Sequence, residues 1–238
     1  MERNDINIEG MGSINQGTYK NIHIEGMGTI QGDIIAENIE IDGKGKALGK
    51  INCKEMNTNG YFNIFNDINV EENCEVDGYL KSAGSINGKY LEVNGRMDVE
   101  KKINFDKAEI NGELIVSEDC QCGELRLDGR VKIEGLLSGD NLDLNISRIN
   151  EIKEIGGEKL TVKKSRNPLK VLFFSKGRNA KLICDEIEAD EIYLENTFCK
   201  IVRGRNIEIG PGCNIKRIEY TGTLKENGKS KINEKINI

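Results

Sequence analysis

Apolar residues occur along this chain in pairs separated by one polar residue. Residues 91–111 hold three such pairs in succession, and a fourth, beginning at Ala108, starts the series again. The three pairs are Leu91/Val93, Met97/Val99 and Ile103/Phe105. Side chains at i and i+2 lie on one face of a strand, and the residue between them points the other way. The spacing therefore predicts three short strands, joined by tight turns, that form the sides of one closed coil.

The same unit repeats over the first part of the chain, 1–144. An apolar pair followed by a polar residue and a glycine begins eight times, at nearly equal intervals. These pairs begin at Ile6, Ile22, Ile39, Met56, Cys74, Leu91, Ala108 and Leu125, and a ninth, at Leu142, lacks the glycine. A fixed period of this length is typical of a solenoid. We therefore predict an all-β fold, a three-sided parallel β-helix (β-solenoid) with a 17-residue coil. Parallel crossovers are normally right-handed, so a right-handed coil is expected.

Stacking the coils places similar residues in columns. One inward column reads Ile34, Ile51, Ile68, Ile86, Ile103, Cys120 and Leu137, and its partner reads Ala36, Cys53, Val70, Gly88, Phe105, Cys122 and Gly139. A single coil cannot bury its own apolar side chains, but the coils on either side of it can. The glycine that closes each pair is expected at a tight corner, where a positive φ carries no steric cost.

The period divides the chain into four parts. From Asn145 the 17-residue spacing fails, and a modified, 15-residue spacing separates Ile192 from Ile207. Basic residues followed by a proline predict a protruding loop at Lys163, Lys164, Arg166 and Pro168. The predicted parts are a regular β-solenoid (1–144), an irregular connecting segment with this loop (145–180), a second solenoid block continuing the same rod (181–220) and a polar tail (221–238). The tail either holds one more strand or is disordered.

Composition narrows the possible functions. A net charge of −6 argues against a nucleic-acid groove, and 37% hydrophobic residues with 5% aromatic residues suit a thin core. No apolar run approaches the roughly 18–20 residues that a membrane span needs, and the start of the chain does not read as a signal peptide. We therefore expect a cytoplasmic protein.

Few residues suggest catalysis or metal binding. The single histidine, His23, lies between two isoleucines and faces outward with no orienting partner implied, so nucleophilic catalysis lacks a base. Cys120 and Cys122 could in principle form a metal-binding or redox-active pair of thiols. Both side chains are expected to point into the core, however, where cysteine acts as a small apolar residue. An outward column of carboxylates comprises Glu75, Glu92 and Glu109, without the enclosing loop that cation sites use. We predict no catalytic residue, cofactor or metal ligand.

A second outward column consists of uncharged amides. It reads Asn52, Asn69, Asn87, Asn104 and Gln121. Amides that repeat in register can hydrogen-bond from one coil to the next. The column is either an ordinary solvent-facing strip or the place where two solenoids lie side by side.

The coils of residues 22–144, typified by ENIEIDGKGKALGKINCKEM, resemble the bactofilins, polymer-forming bacterial cytoskeletal proteins. The block IEADEIYLENTFCKIVRGRNIEIGPGCNIKRIEY is similar to the carboxy-terminal part of longer Gram-positive relatives of that family. The resemblance implies a right-handed triangular β-helix that polymerises end to end without nucleotide, often beneath the membrane. The chain departs from the family in its irregular middle and second block, and in having no Pro-rich tails.

The leading hypothesis is a non-enzymatic structural protein that self-associates end to end. The terminal coils of a solenoid expose unpaired backbone groups, which pair readily with another molecule. The first coil, around Ile6, Ile8 and Ile14, is the predicted interface. The expected partners are further copies of the chain or another bacterial protein, which would hold it at the inner face of the membrane. Two alternatives are a monomeric or dimeric binding scaffold that uses residues 145–180, and a β-helix enzyme acting on polysaccharide or acyl groups.

Overall fold

The structure, a computed structural model, describes residues 4–165 and 180–238 of the chain. Within these two ranges it consists of 21 β-strands joined by turns, with no helix. The chain divides into two compact units, Met1–Glu118 and Asp119–Ile238. In each unit successive coils pair in parallel, so each unit is a parallel β-solenoid and the predicted fold class is confirmed. The described segments include no helix of the length and apolarity needed to cross a membrane.

Unit 1 contains fourteen strands that alternate between long and short. The strands are β1 (Asn4–Ile8), β2 (Met11–Ile14), β3 (Gly17–Ile24), β4 (Met27–Ile30), β5 (Ile34–Ile41), β6 (Lys44–Ala47), β7 (Ile51–Thr58), β8 (Tyr61–Ile64), β9 (Ile68–Val76), β10 (Tyr79–Ser82), β11 (Ile86–Val93), β12 (Arg96–Val99), β13 (Ile103–Ile110) and β14 (Glu113–Val116). One long and one short strand make each complete coil.

The register of unit 1 is the predicted one. Neighbouring coils pair Ile6 with Ile22, Ile22 with Ile39, Ile39 with Met56, Met56 with Cys74, Cys74 with Leu91 and Leu91 with Ala108. These positions, apart from the half-exposed Ile6, are buried. The apolar interior is therefore shared between coils, as the columns of the sequence predict.

Three sides arise because each long strand changes direction once. In β7, Ile51 and Cys53 are buried, two exposed residues follow, and Met56 and Thr58 are buried in turn. Two consecutive outward residues break the alternation of a strand, so the second half faces the core from a new direction. The short strand β8 supplies the third side, with Phe62 buried.

The corner glycines of unit 1 are required because there is no space for a side chain, and not for a positive φ. None of the corner glycines of unit 1 has a positive φ. A Cβ on Gly43 would instead lie 2.0 Å from the carbonyl oxygen of Glu25, and one on Gly60 would lie 2.0 Å from that of Gly43. The backbones of stacked coils approach closely at this corner, where the Ile24 carbonyl accepts hydrogen bonds from the N–H groups of both Asp42 and Gly43. Glycine is needed because a side chain would enter the preceding coil.

Unit 2 contains seven strands, several of which run around more than one side. They are β15 (Cys120–Leu127), β16 (Arg130–Ile146), β17 (Ile149–Lys164), β18 (Lys181–Leu194), β19 (Thr197–Ile209), β20 (Asn214–Glu226) and β21 (Lys231–Asn237). The register steps vary: Leu125 pairs with Leu142, Leu142 with Leu160, Leu160 with Ile192, Ile192 with Ile207 and Ile207 with Leu224. The predicted 15-residue step between Ile192 and Ile207 is confirmed.

The structure corrects the predicted irregular segment, 145–180. Residues 149–164 form strand β17, which pairs with β16 and buries Leu160 and Val162. Lys163 and Lys164 belong to this strand and not to a loop. The other residues of the predicted loop, Arg166 and Pro168, lie outside the described residues.

The second block, 181–220, and the polar tail, 221–238, are also part of the ladder of unit 2. Strand β18 pairs with β17, and β21 pairs with β20 up to Asn237, so the tail holds the additional strand that is one of the two expectations. A turn at residues 211–212 precedes β20, with Gly212 in the left-handed region at φ 80°. Here glycine is needed for its conformation, in contrast to the corners of unit 1.

Candidate functional site

The first coil of unit 1, formed by β1 and β2, is paired on one side only. Strand β1 pairs with β3 and β2 pairs with β4, and no other described strand pairs with either. The predicted interface residues lie here: Ile14 is buried, Ile8 is 8% exposed and Ile6 is half-exposed. A row of backbone donors and acceptors on this coil is therefore left for another molecule or for solvent.

This edge has few of the features that prevent strand edges from pairing. Residues 4–16 contain two charged side chains, Asp5 and Glu9, and no lysine, arginine or proline. Lysine, proline and inward-pointing charges are the usual protective devices. The coil also presents Met11, which is 82% exposed, and the next coil presents Met27, which is 52% exposed. Backbone groups and apolar surface are thus available together at this edge.

Gly10, in the first coil, occupies the same corner position as Gly26 and Gly43. A Cβ on Gly26 would lie 2.0 Å from the carbonyl oxygen of Gly10, but a Cβ on Gly10 would meet no described atom within 4 Å. The φ of Gly10 is not positive either. Within the described chain neither space nor backbone conformation requires glycine at position 10.

A shallow groove of about 480 Å³ runs across the outer face of unit 1 beside the first coil. Its lining includes Met11, Met27, Lys44 and Tyr61. Behind it, one inward column consists of Gly12, Gly28 and Gly45 before it continues with Phe62. A Cβ on Gly45 would lie 2.8 Å from the Phe62 ring. Gly45 therefore leaves room for the ring of Phe62 in the next coil.

The predicted amide column lies on the surface without forming a ladder. Asn52, Asn69, Asn87 and Asn104 are exposed register partners. Within residues 4–165 and 180–238, their side chains form no hydrogen bond with one another. Whether this strip mediates side-by-side association stays a prediction.

Amide ladders do occur, at other columns of unit 1. Asn94 donates to Asp77 at 2.9 Å, and Asn111 donates to Asn94 at 3.0 Å. A second ladder joins Asn38 to Asn21 at 2.7 Å. These bonds follow the 17-residue register, and they connect coils whose backbones are already paired.

His23 has partners that sequence reasoning did not identify. Its Nε2 lies 2.7 Å from Asp42 Oδ2, and this hydrogen bond is the main reason that the pKa of the imidazole is raised. Glu40 is its register partner on the adjacent strand, with Oε2 4.0 Å from Nε2. The 17-residue period would have predicted Glu40 beside His23, although not the direction of the Asp42 side chain.

The four cysteines of the repeat columns, Cys53, Cys74, Cys120 and Cys122, are buried as predicted. All seven are buried and free. Burial raises the pKa of the Cys74 thiol to about 12, so at neutral pH this group is protonated and unreactive. Cys120 and Cys122 approach to 3.8 Å between sulfur atoms inside the core, and their mutual contact raises the pKa of Cys120.

The outward carboxylates repel one another. Glu75 and Glu92 are register partners, and the pKa of Glu75 is raised by partial burial and by the charges of Asp77 and Glu92. Lys107 forms an ion pair with Glu109, the last residue of this column, with 3.0 Å between Nζ and Oε1. The column is therefore part of a surface that carries both acidic and basic side chains.

A second groove, of about 410 Å³, lies on unit 2. Its two carboxylates already have amide partners: Asn206 donates to Glu191 at 2.7 Å, and Asn227 donates to Glu208 at 2.9 Å. These bonds connect successive coils. The two groups that would be the first candidates for acid–base chemistry therefore serve as contacts between strands.

Comparison with known proteins shows two Bacillus subtilis relatives. The chain is 37% identical over 216 residues to the uncharacterized protein YhbE, covering 90% of each chain. It is 42% identical over 105 residues to the uncharacterized protein YhbF, covering 44% of this chain and 42% of YhbF. No protein-family model matches the chain. No solved structure matches it either.

Proposed function

We propose that the chain, which belongs to the same family as YhbE of Bacillus subtilis, is a bactofilin-like, self-associating structural scaffold. The parallel β-solenoid fold and the geometry of the first coil support this proposal. Copies stack end to end through the coil formed by β1 and β2. Assembly uses backbone pairing and apolar contacts, so it needs no nucleotide or other cofactor. The protein acts without catalysis, in the cytoplasm, and reaches the inner face of the membrane through a partner.

The observation that carries this proposal is the glycine at position 10. Each later corner glycine of unit 1 leaves room for the carbonyl oxygens of the coil before it, as Gly26 does for Gly10. Gly10 has no such coil within the described chain. A coil of a second molecule, stacked on β1 and β2 in the same parallel register, would bring a carbonyl oxygen to the space beside Gly10. Glycine would then be required there for the same steric reason as at the other corners.

The contact chemistry fits a second copy. The exposed edge offers unpaired backbone groups, the half-exposed Ile6 and the exposed Met11. Strand addition of this kind derives its affinity from main-chain hydrogen bonds, and adjacent apolar side chains contribute further. Asp5 and Glu9 give the edge a negative charge, so a stacked partner would present neutral or basic residues to them.

The Gly10→Ala variant tests the proposal. The added methyl group meets no described atom in the monomer, so the circular dichroism spectrum and the melting temperature should be unchanged at a protein concentration low enough to keep the chains dissociated. Negative-stain electron microscopy and sedimentation velocity should show extended assemblies for the wild type and much smaller particles for Gly10→Ala. Ser13→Ala, a change of an exposed residue on the same coil, is the matched control and should assemble normally. A wild type that stays monomeric, or a Gly10→Ala variant that assembles like the wild type, would overturn the proposal.

A binding scaffold is the second candidate, and one observation favours it. Leu160 and Ile192 are register partners although their separation in sequence is about twice that of Ile192 and Ile207, which are also register partners. The chain therefore contains additional residues between β17 and β18. Deleting residues within 166–179 discriminates between the candidates: a scaffold loses its partner in a pull-down, whereas a self-assembling protein still sediments.

A further inference from the structure

The outer face of unit 1 contains a group of four potential metal ligands on and next to two adjacent strands. Strand β3 carries His23, which is followed at i+2 by Glu25, and β5 carries Glu40, which is followed at i+2 by Asp42. His23 and Glu40 are register partners within these strands, whereas Glu25 and Asp42 each lie one position beyond a strand end. The imidazole nitrogens lie within 4.0 Å of a carboxylate oxygen of each of the three acidic residues.

The ligand atoms of three of these residues converge. Those of His23, Glu40 and Asp42 all lie within 4.8 Å of one another, and no other set of three His, Cys, Asp or Glu residues in the described ranges does so. His23 Nε2 is 2.7 Å from Asp42 Oδ2 and 4.0 Å from Glu40 Oε2. Ligands at Zn–N and Zn–O distances of about 2.0–2.2 Å in a tetrahedral site lie roughly 3.3 Å apart. The two separations measured from Nε2 bracket this value.

Neighbouring side chains already orient two of the three residues, Asp42 and His23. Asn59, on the next coil, donates from Nδ2 to Asp42 Oδ1 at 2.7 Å, which fixes the carboxylate and leaves Oδ2 directed at His23. Glu25 lies on the opposite side of the imidazole, with Oε1 3.6 Å from Nδ1. A metal ion on Nε2 would leave the proton on Nδ1, next to this carboxylate. Metal-bound histidines commonly have such a carboxylate partner.

We propose that His23, Glu40 and Asp42 bind a divalent first-row transition-metal ion such as Zn²⁺. The donor set of one imidazole nitrogen and two carboxylates suits zinc and its neighbours, whereas Ca²⁺ and Mg²⁺ prefer sites made entirely of oxygen ligands. Two carboxylates balance the charge of the ion, and the open fourth position is left to solvent. The side chains are partly exposed, with His23 at 29%, so the ion has direct access from solution. This site is independent of the proposed stacking of β1 and β2.

Isothermal titration calorimetry with ZnCl₂ tests the site on the full chain after treatment with a chelator. The wild type should bind one Zn²⁺, and His23→Gln and Asp42→Asn should each weaken binding by at least about tenfold. Asn59→Ala, which removes the orienting amide, should weaken it less. Glu92→Gln removes a carboxylate from the same outward column at a position outside the cluster, and it should bind like the wild type.

A second measurement separates this site from other zinc binding. Because the chain has one histidine, a single set of imidazole signals in the proton NMR spectrum reports on His23, and these signals should shift on stoichiometric addition of Zn²⁺. Circular dichroism verifies that each variant is folded. Two results would overturn the proposal: a wild type without a stoichiometric site, or binding to His23→Gln as tight as to the wild type, which would mean that acidic side chains or cysteines hold the ion.

Discussion

Leu91 and Ala108 are register partners on the adjacent parallel strands β11 and β13, and both side chains are almost completely buried. They occupy equivalent positions of successive coils, separated by one 17-residue period. A large residue thus lies directly above a small one in the shared interior. Substitutions at this pair therefore measure how strongly the packing of one coil stabilises the next.

Leu91→Ala should lower the free energy of unfolding by about 2–5 kcal/mol because it leaves a cavity in a close-packed core. Ala108→Leu should cost about 1–3 kcal/mol by overpacking. The double variant restores the total volume of the column, so it should be more stable than the sum of the two changes predicts. Urea denaturation followed by circular dichroism measures all four proteins. Strict additivity would show that the two side chains are not in contact.

Gly60→Ala should be strongly destabilising, by at least about 2 kcal/mol, because the new Cβ would lie 2.0 Å from the carbonyl oxygen of Gly43. Gly10→Ala is the matched control at the same corner of the first coil and should change the free energy of unfolding by less than about 0.5 kcal/mol. Thermal unfolding at a protein concentration low enough to keep the chains dissociated gives the comparison. Equal effects of the two substitutions would contradict the steric explanation of these glycines.

Ile6→Lys should prevent assembly and leave the monomer folded. Ile6 is half-exposed on the coil whose other edge is unpaired, so a lysine can reach solvent in the monomer but would be buried in a stack. Dynamic light scattering and sedimentation velocity measure the change in particle size. Gln31→Lys, at an exposed position of the next coil, adds the same charge and is the control. Particles of unchanged size in the Ile6→Lys protein would exclude the first coil as the interface.

Tyr79 should ionise only in strongly alkaline solution. Its hydroxyl donates to Asp98 Oδ2 at 2.6 Å, and this bond, with partial burial, raises the pKa to about 12. An unperturbed tyrosine has a pKa of about 10. Since the folded-state pKa is the higher one, the stabilisation by Tyr79 is fully present below pH 10 or so and is lost as the pH rises towards 12.

An ultraviolet difference titration of the wild type against Tyr79→Phe isolates this ionisation from the other tyrosines. The midpoint should lie near 12 in the wild type, and Asp98→Asn should move it towards 10 or so. Circular dichroism at each pH defines the range over which the protein is folded. A midpoint at the ordinary value in the folded wild type would show that the hydrogen bond to Asp98 is absent in solution.

The register of unit 1 could be predicted from sequence because one period fixes it. Once Ile22 and Ile39 are recognised as equivalent, the partner of each apolar pair follows to within one residue. Strand β17 was not predicted because Ile146 stands where a corner glycine is expected, so the motif that marks each coil is missing before Ile149–Lys164. Apolar burial tolerates the loss of this glycine, whereas a search for an exact motif does not.

Candidate sites were harder to predict than strands. The period places Glu40 beside His23, but the 2.7 Å contact with Asp42 depends on side-chain torsions that the sequence does not specify. The prediction of a positive φ at the corner glycines was wrong, because their constraint comes from the neighbouring coil and not from their own backbone. Contacts between coils are properties of the stack and require coordinates.

The pairing of each coil of unit 1 with its immediate neighbours has a consequence for biosynthesis. Ile22, for example, pairs with Ile6 before it and with Ile39 after it. When a given coil emerges from the ribosome, the preceding coil on which it stacks has already emerged. Unit 1 can therefore fold progressively during translation, since contacts of short sequence separation form quickly and need no distant segment. At each moment the growing edge of the nascent chain would be the exposed surface that chaperones must protect.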